Sequence, residues 1–479
     1  MFYLILLIFV IGYLAIALEH PLKVDKTATA LLIGVLTWTV YVLNVDSILS
    51  LGYSPSWAEL GHQVQNILEY IKPTLSEDEW ISSGWASQVV ALKEPTHFII
   101  EELEHHLVDI AQILFFLLGA MTIVEIIDQH EGFKIITDKI TTTHKVKLLW
   151  IIGIITFFMS AVLDNLTTTI VMAALLRKLI SDQKTRWFFV SMVVLAANSG
   201  GAWSPIGDVT TIMLWIGGQI TSLSIITHVF LPSLVSILVP LGVISYSMKG
   251  EVKRPVPSGN ESTFTTAKER MTIFLIGVGA LLFVPVFKTY THLPPYMGML
   301  LGLGVLWLAT EIMHKSKPHE ITGKLKVYHI LRRVDMPTVL FFLGILSAVA
   351  CLQSAGHLNL TAGWLDSNLG NVYLINLAIG ILSSIVDNVP LVAGAMGMYE
   401  VALPGTTGYA AMFVQDGTFW ELLAYCAGTG GSILIIGSAA GVAAMGIEKI
   451  DFIWYLKKIS LLALLGYLSG LGTYYLMFS

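Results

Sequence analysis

The sequence predicts an all-α polytopic membrane protein: an inverted repeat of about five spans plus one re-entrant hairpin each, with one broken helix per repeat. Three observations predict it. Of 479 residues, 55% are hydrophobic and 13% charged, with a mean hydropathy of +0.74, whereas soluble domains carry about 25% charged residues. Apolar runs long enough to cross about 30 Å of hydrocarbon recur along the whole chain. Two Asp-Asn pairs, Asp164-Asn165 and Asp387-Asn388, each interrupt an apolar segment, and a Gly-rich break in another apolar segment follows each of them. A soluble protein is excluded.

Met1 to Leu18 is apolar with no basic residue before it, which reads as a first span with its N-terminus outside rather than a cleaved signal. The first half then reads as spans 2–18, 27–44 and 105–127, a broken segment 187–220, and a span 223–247. The second half reads as 271–290, 295–313, 336–353, a broken segment 420–446, and 452–478. The net charge of -6 says little about orientation, which depends on where Lys and Arg lie. Lys23 and Lys26, Lys134 to Lys147, Arg177 to Arg186, the links at 248–270 and 314–334, and Lys449, Lys457 and Lys458 all belong inside by that rule. Only Lys72, Lys93 and Lys288 of the 27 basic residues fall elsewhere.

This placement makes segment 147–186 basic at both flanks and bisected by Asp164-Asn165, a path that enters and returns on one side. Segment 372–400 has no Lys or Arg in either flank, so its hairpin enters from the opposite face. An odd number of crossings inverts the second copy, giving a first repeat at 1–248, a cytoplasmic linker at 249–270 and a second repeat at 271–479, with both termini outside. Three echoes in one order support duplication over chance similarity of apolar segments. Leu114-Phe-Phe-Leu-Leu-Gly119 echoes Leu340-Phe-Phe-Leu-Gly344, Asp164-Asn165 echoes Asp387-Asn388, and Ala197-Asn-Ser-Gly-Gly201 echoes Ala427-Gly-Thr-Gly-Gly431 with Gly207 matching Gly437.

The loop from Asn44 to Glu104 is acidic, and Trp57 to Ile71 has apolar residues at helical spacing, as in a helix lying on the membrane surface. His97, His105 and His106 read as solvated loop histidines, since no further donors complete a metal set. Cys351 and Cys426 read as inert thiols in apolar surroundings. Trp203, inside the first break, reads as packing or as a cavity wall.

Function belongs at the four breaks, because irregular backbone within a membrane survives only when buried in protein or lining a wet cavity. Breaks are expected at tips 164–165 and 387–388 and at 198–206 and 428–432, with glycines permitting unwinding and close approach. The oxygen-rich candidates there are Asp164, Asn165, Thr168, Asn198, Ser199, Asp208, Thr210, Thr211, Ser384, Asp387, Asn388, Thr429 and Ser432. An Asp-Asn at a break is also good helix-capping chemistry, and hydroxyls in spans often bond back to their own helix, which ranks Thr168, Thr169 and Thr211 below Thr210. No Lys or Arg lies near any break in the sequence. Buried carboxylates without such partners require a proton or a bound cation, so a small cation, a proton, or both in turn are the expected ligands.

With its opposed hairpins and broken helices, the chain resembles the ion transporter superfamily of divalent-anion/sodium symporters and arsenite permeases. The Asp164-Asn-Leu-Thr-Thr-Thr169 tip, the Asn198-to-Thr211 segment and the Ser383-Ser-Ile-Val-Asp-Asn388 tip are similar to NhaD-type sodium/proton antiporters. That resemblance implies exchange of cytoplasmic Na⁺ (also Li⁺) for external H⁺ in a bacterial cytoplasmic (inner) membrane, no cofactor, and a homodimer in the lipid bilayer with no nucleic-acid partner. It places Na⁺ at Asp164, Asn165, Asp208 and Asn388, with hairpins and broken helices moving as a transport unit. Dicarboxylate carriers of the superfamily have Ser-Asn-Thr at the tips, so Asp-Asn argues against an organic anion. A sodium-coupled dicarboxylate or sulfate symporter, an arsenite or citrate exporter, a cation channel and a membrane enzyme are the alternatives. The last lacks any nucleophile-base pair, metal cluster or phosphate loop.

Overall fold

The structure, a computed structural model, describes residues 1–17, 19–85, 89, 94–255, 265–315 and 325–478. Lys93, Lys317, Lys324 and part of the expected linker, 256–264, lie outside the described residues. Regular structure among the described residues is helical, with two isolated β-bridges and eight helices long and apolar enough to cross a membrane. The chain is a polytopic integral membrane protein.

The chain divides into two compact units, each drawing on both halves of the sequence. One comprises Met1–Leu114, Met336–Gly370 and Ala393–Glu400. Within it, helices Lys26–Leu43 and Met336–Ser354 cross at glycine. A Cβ on Gly34 would stand 2.7 Å from the Gly344 carbonyl oxygen, so only the missing side chains allow this approach, as small residues do at membrane helix crossings. Trp38 Nε1 donates to Ser347 O at 2.9 Å and the Tyr41 hydroxyl to Ser354 O at 3.1 Å, closing the same interface.

The other unit comprises Phe115–Asp335, Asn371–Val392 and Val401–Ser479. It holds both hairpin tips and both broken helices. The first hairpin's arms are Lys145–Leu163 and Asn165–Leu179, and both pack on Gln183–Ala202. The second tip lies between Val372–Leu382, which packs on Thr418–Gly430, and the helix that starts at Asn388, of which residues up to Val392 belong to this unit. Gln183–Ala202 and Thr418–Gly430 pack on each other, which brings the two chain halves together.

Four expectations change. The span expected at 105–127 begins ten residues earlier, as Pro95–Gln129, so His97, His105 and His106 are helical rather than in a loop. Pro95 suits a first turn, and the pairs His97 with Glu101, His106 with Glu102 and His105 with Asp109 lie one turn apart. The link at 354–371 contains a helix, His357–Asn368, started by Gly356 at φ 91°. The last span is two helices, Phe452–Lys458 and Ser460–Phe478; Lys457 and Lys458 close the short one, where cations complement the helix dipole. The fourth change concerns Gly200, Gly201 and Gly430, which stay helical rather than unwinding.

Candidate functional site

At the first tip, Asp164 is the single residue between two helices. Its φ of 72° and ψ of 161° fall in a region nearly exclusive to glycine, which costs on the order of 1–3 kcal/mol in a non-glycine residue. The side chain caps the second arm: Oδ1 accepts from Thr167 N at 2.8 Å and Oδ2 from the Thr167 hydroxyl at 2.9 Å. The second tip is longer. Its first arm ends at Leu382, and Asp387 Oδ1 accepts from Val389 N at 3.4 Å before the second arm starts at Asn388.

The broken helices share one design. Gln183–Ala202 stops, and Val209–Ile216 restarts behind Asp208 as cap; Thr418–Gly430 stops, and Ala439–Glu448 restarts behind Ser438. The caps have matching backbone angles, φ/ψ of -147°/148° and -147°/153°. The breaks run over 203–208 and 431–438, so they overlap only the later part of the expected 198–206 and 428–432. Asn198, Ser199, Gly200, Gly201, Thr429 and Gly430 all lie in helix. Gly200 and Gly430 instead permit contact: a Cβ on either would stand 2.1 Å from a backbone oxygen of a hairpin arm, that of Phe157 and of Gly380 respectively. Ser160 and Ser383, each three residues past those crossing points, donate to Ala197 O at 2.6 Å and Ala427 O at 2.8 Å.

These contacts set four polar segments around one carboxylate. Asp208 is 1% exposed. Its Oδ2 accepts from Asn165 Nδ2 at 2.6 Å and Asn388 Nδ2 at 3.3 Å; its Oδ1 accepts from Thr210 N at 2.9 Å and the Thr210 hydroxyl at 3.0 Å. Asn165 Nδ2 also donates to Asn198 Oδ1 at 3.0 Å, and Asn198 Nδ2 donates to the hydroxyls of Ser432 at 2.8 Å and Ser438 at 2.9 Å. One connected network thus joins both hairpins and both broken helices. The partners of Asp164 and Asp208 are amides, hydroxyls and backbone N–H groups, with no lysine or arginine among them.

Asp164 and Asp387 are half-buried and stand within electrostatic reach of Asp208 without bonding to it directly. Asp164 is the one ionisable residue lining a small, otherwise apolar pocket formed with Phe116, Met121, Leu163, Ile206 and Met299 among others.

Several predicted residues stand apart from the hub. The Thr211 hydroxyl bonds Asp208 O in a capping box, that of Thr429 bonds back to Tyr425 O, and that of Ser384 to Ile381 O. Ser199 accepts from Ser236 at 2.8 Å. Thr168 and Thr169, ranked low as back-bonded, have buried hydroxyls with no hydrogen-bond partner. Trp203 packs, with Phe230 at 4.9 Å and Phe157 at 5.8 Å between ring centroids. Cys351 and Cys426 are buried free thiols. Ser438, which the sequence offers among the polar residues of the second broken helix, pairs with Asp208 when the Gly207–Gly437 match is carried one residue further.

A network of two tips and two breaks around an unpaired carboxylate is the geometry on which comparison with known proteins bears. The family model described as CitMHS, citrate transporter, matches residues 7–415. Sodium/proton antiporter 2 of Arabidopsis thaliana is 43% identical over 98% of this chain and 98% of its own length. Sodium/proton antiporter 1 of the same plant is 45% identical over 98% of this chain and 71% of its own. The Na(+)/H(+) antiporter NhaD of Vibrio cholerae is 30% identical over 85% of this chain and 88% of its own. The chain belongs to the CitMHS citrate transporter family, among its sodium/proton antiporters.

Proposed function

We propose that the protein exchanges Na⁺, and Li⁺, for H⁺ as a secondary active transporter. The observation that carries this reading is the Asp208 network, in which one buried carboxylate is shared by both hairpins and both broken helices and has no fixed cation. A carboxylate so placed is expensive unless a cation or proton neutralises it. Na⁺ takes Asp208 oxygens together with Oδ1 atoms of Asn165, Asn198 and Asn388 and the hydroxyls of Thr210, Ser432 and Ser438, once the amides turn their oxygens inward. H⁺ competes for the same carboxylates, Asp164 and Asp387 included. Exchange is coupled if the Na⁺-loaded and protonated forms reorient and the empty, charged form does not. The family's citrate name raises an anion as the alternative, but a tricarboxylate placed at this hub would meet Asp208 with no lysine or arginine bonded to it.

The inverted repeat belongs to the same proposal. Its support is the pairing of Asp208 with Ser438 as caps, of Gly200 with Gly430 at hairpin crossings, and of Ser160 with Ser383 as donors to the broken helices. In the proposed orientation both termini face outside, and a proton-motive membrane such as the bacterial cytoplasmic membrane is the setting; the relatives come from plants and bacteria alike.

The test is dissipation of a pH gradient in everted vesicles on separate additions of NaCl, LiCl, KCl and citrate. Dissipation by Na⁺ or Li⁺ is the expected result. A response to citrate alone would overturn the reading.

A further inference from the structure

A second buried carboxylate lies in the same unit but outside the hub. Glu421, 2% exposed, sits in the first turn of Thr418–Gly430. Ser224 Oγ donates to its Oε1, His228 Nδ1 meets the same oxygen at 2.7 Å, and the Tyr474 hydroxyl donates to Oε2 at 2.5 Å. Of these partners only His228 can carry positive charge, and only when protonated. Its side chain is 41% exposed, so the buried acid is joined to the surface by one imidazole.

The contrast with Glu448 is informative. That side chain is also fully buried, but Arg177 Nε and Arg186 Nε each hold one of its oxygens at 2.6 Å. Glu448 is locked by permanent cations; Glu421 is held by a partner whose charge comes and goes.

Polar groups lie along the way from Glu421 toward the hub. Tyr425 follows one turn along the helix, about 5.4 Å. The Tyr425 hydroxyl donates to Tyr467 O at 2.8 Å; nearer the hub Ser236 donates to Ser199 at 2.8 Å, and Ser199 adjoins Asn198. The other ionisable groups on the elements packed around the start of this helix are Tyr373, stacked edge-on to Tyr475; Asp416, engaged by Thr221; Tyr409; and the buried Cys426 and Tyr467. None supplies a fixed charge opposite Glu421. At the matching place in the first broken helix, ten residues before Gly201, stands Ser191, whose hydroxyl bonds back to Trp187 O. The carboxylate is thus present in one half only, at the end where the proposed orientation puts the outside.

We propose that His228 and Glu421 form a proton port on the outer side, through which protons reach the exchange site; this rests on the antiport reading above. His228 takes a proton at Nε2 and gives one from Nδ1 to Glu421 Oε1, and Glu421 releases it toward Tyr425.

The experiment uses full-length protein in proteoliposomes, with exchange followed as the pH on the outer face is varied and Na⁺ binding followed as thermal stabilisation. Glu421→Gln is expected to slow exchange by about tenfold or more, as loss of a positioned proton carrier does, and to flatten its dependence on outer pH. Stabilisation by Na⁺ is expected to persist, and Glu421→Asp to restore part of the rate. His228→Gln, at a half-exposed site that tolerates change, is expected to flatten the same pH profile. Wild-type pH profiles in both variants would overturn the port alone. A wild-type protein that exchanges nothing would overturn the port and the antiport reading together.

Discussion

Asp208→Asn separates ion binding from folding, and its size can be worked from the contacts. In the wild type both carboxylate oxygens accept, from Asn165, Asn388 and Thr210. The substitution turns one oxygen into an N–H donor that faces two amide donors, so Asn165 or Asn388 must turn over. Charge-assisted bonds are lost, but so is the cost of burying an ion, and these oppose each other. Stability without Na⁺ is therefore expected to move by no more than about 1 kcal/mol. Binding has no such compensation. An interaction with a charged group is worth about 1.5–3 kcal/mol, a loss of roughly ten- to a hundredfold in affinity. At a Na⁺ concentration 100 times the wild-type Kd, Na⁺ stabilises the wild type by about 2.7 kcal/mol; the variant, ten- to a hundredfold weaker, retains only about 0.4–1.4 kcal/mol. The assay is thermal unfolding of purified protein with and without NaCl at constant ionic strength, beside vesicle exchange. Undiminished stabilisation by Na⁺, or full exchange, in Asp208→Asn would refute the hub as the cation site.

Three further outcomes are expected. Asp164→Gly removes the cap but relieves the backbone at φ 72°; capping glycine costs only a few tenths of a kcal/mol relative to better caps, so vesicles should contain folded protein at normal levels that no longer exchanges Na⁺. Gly430→Ala forces a Cβ to 2.1 Å from Gly380 O, and overpacking against rigid backbone costs about 1–3 kcal/mol; Gly446→Ala, with nothing within 4 Å, should be neutral or stabilising by about 0.5–1 kcal/mol, and a melting comparison of the two checks the contrast. Glu448→Gln leaves Arg186, 17% exposed, and the more exposed Arg177 without their anion; breaking a buried pair costs about 3–5 kcal/mol, discounted here because Arg177 is half in solvent, so a clear fall in melting temperature is expected.

Periodicity and composition were enough to expose the spans, because a membrane helix satisfies its own backbone and shows as a continuous apolar run. The Asp-Asn tips and the Gly-Gly pairs were legible for a related reason: a polar or strained residue inside such a run has few roles. What the glycines do was not legible. A helical break and a close crossing ask for the same residue, and only the position of Phe157 O and Gly380 O against Gly200 and Gly430 decides for crossing. The bonds of Asn198 to Ser432 and Ser438 join residues more than 230 positions apart, so no local pattern encodes them. Glu421 and Glu448 illustrate the same limit, since two buried glutamates in one broken helix acquire opposite characters from partners on other elements.

The departure from symmetry at the caps carries the last step. The matched positions are Asp208 and Ser438, alike in backbone angles and both reaching the same network through amides. Had both been aspartate, two carboxylates would be bonded within the hub, and their repulsion would favour a divalent ion, or a proton on one of them, over a single Na⁺. With serine at one, Asp208 is the single carboxylate bonded within the hub, one that a Na⁺ or a proton neutralises, with Asp164 and Asp387 nearby. A second acid at that place, Ser438→Asp, is therefore expected to weaken discharge by protons alone and to raise affinity for divalent cations such as Ca²⁺, measured by competition against Na⁺-dependent thermal stabilisation. Unchanged competition by Ca²⁺ in a folded variant would show that Ser438 does not face the ion.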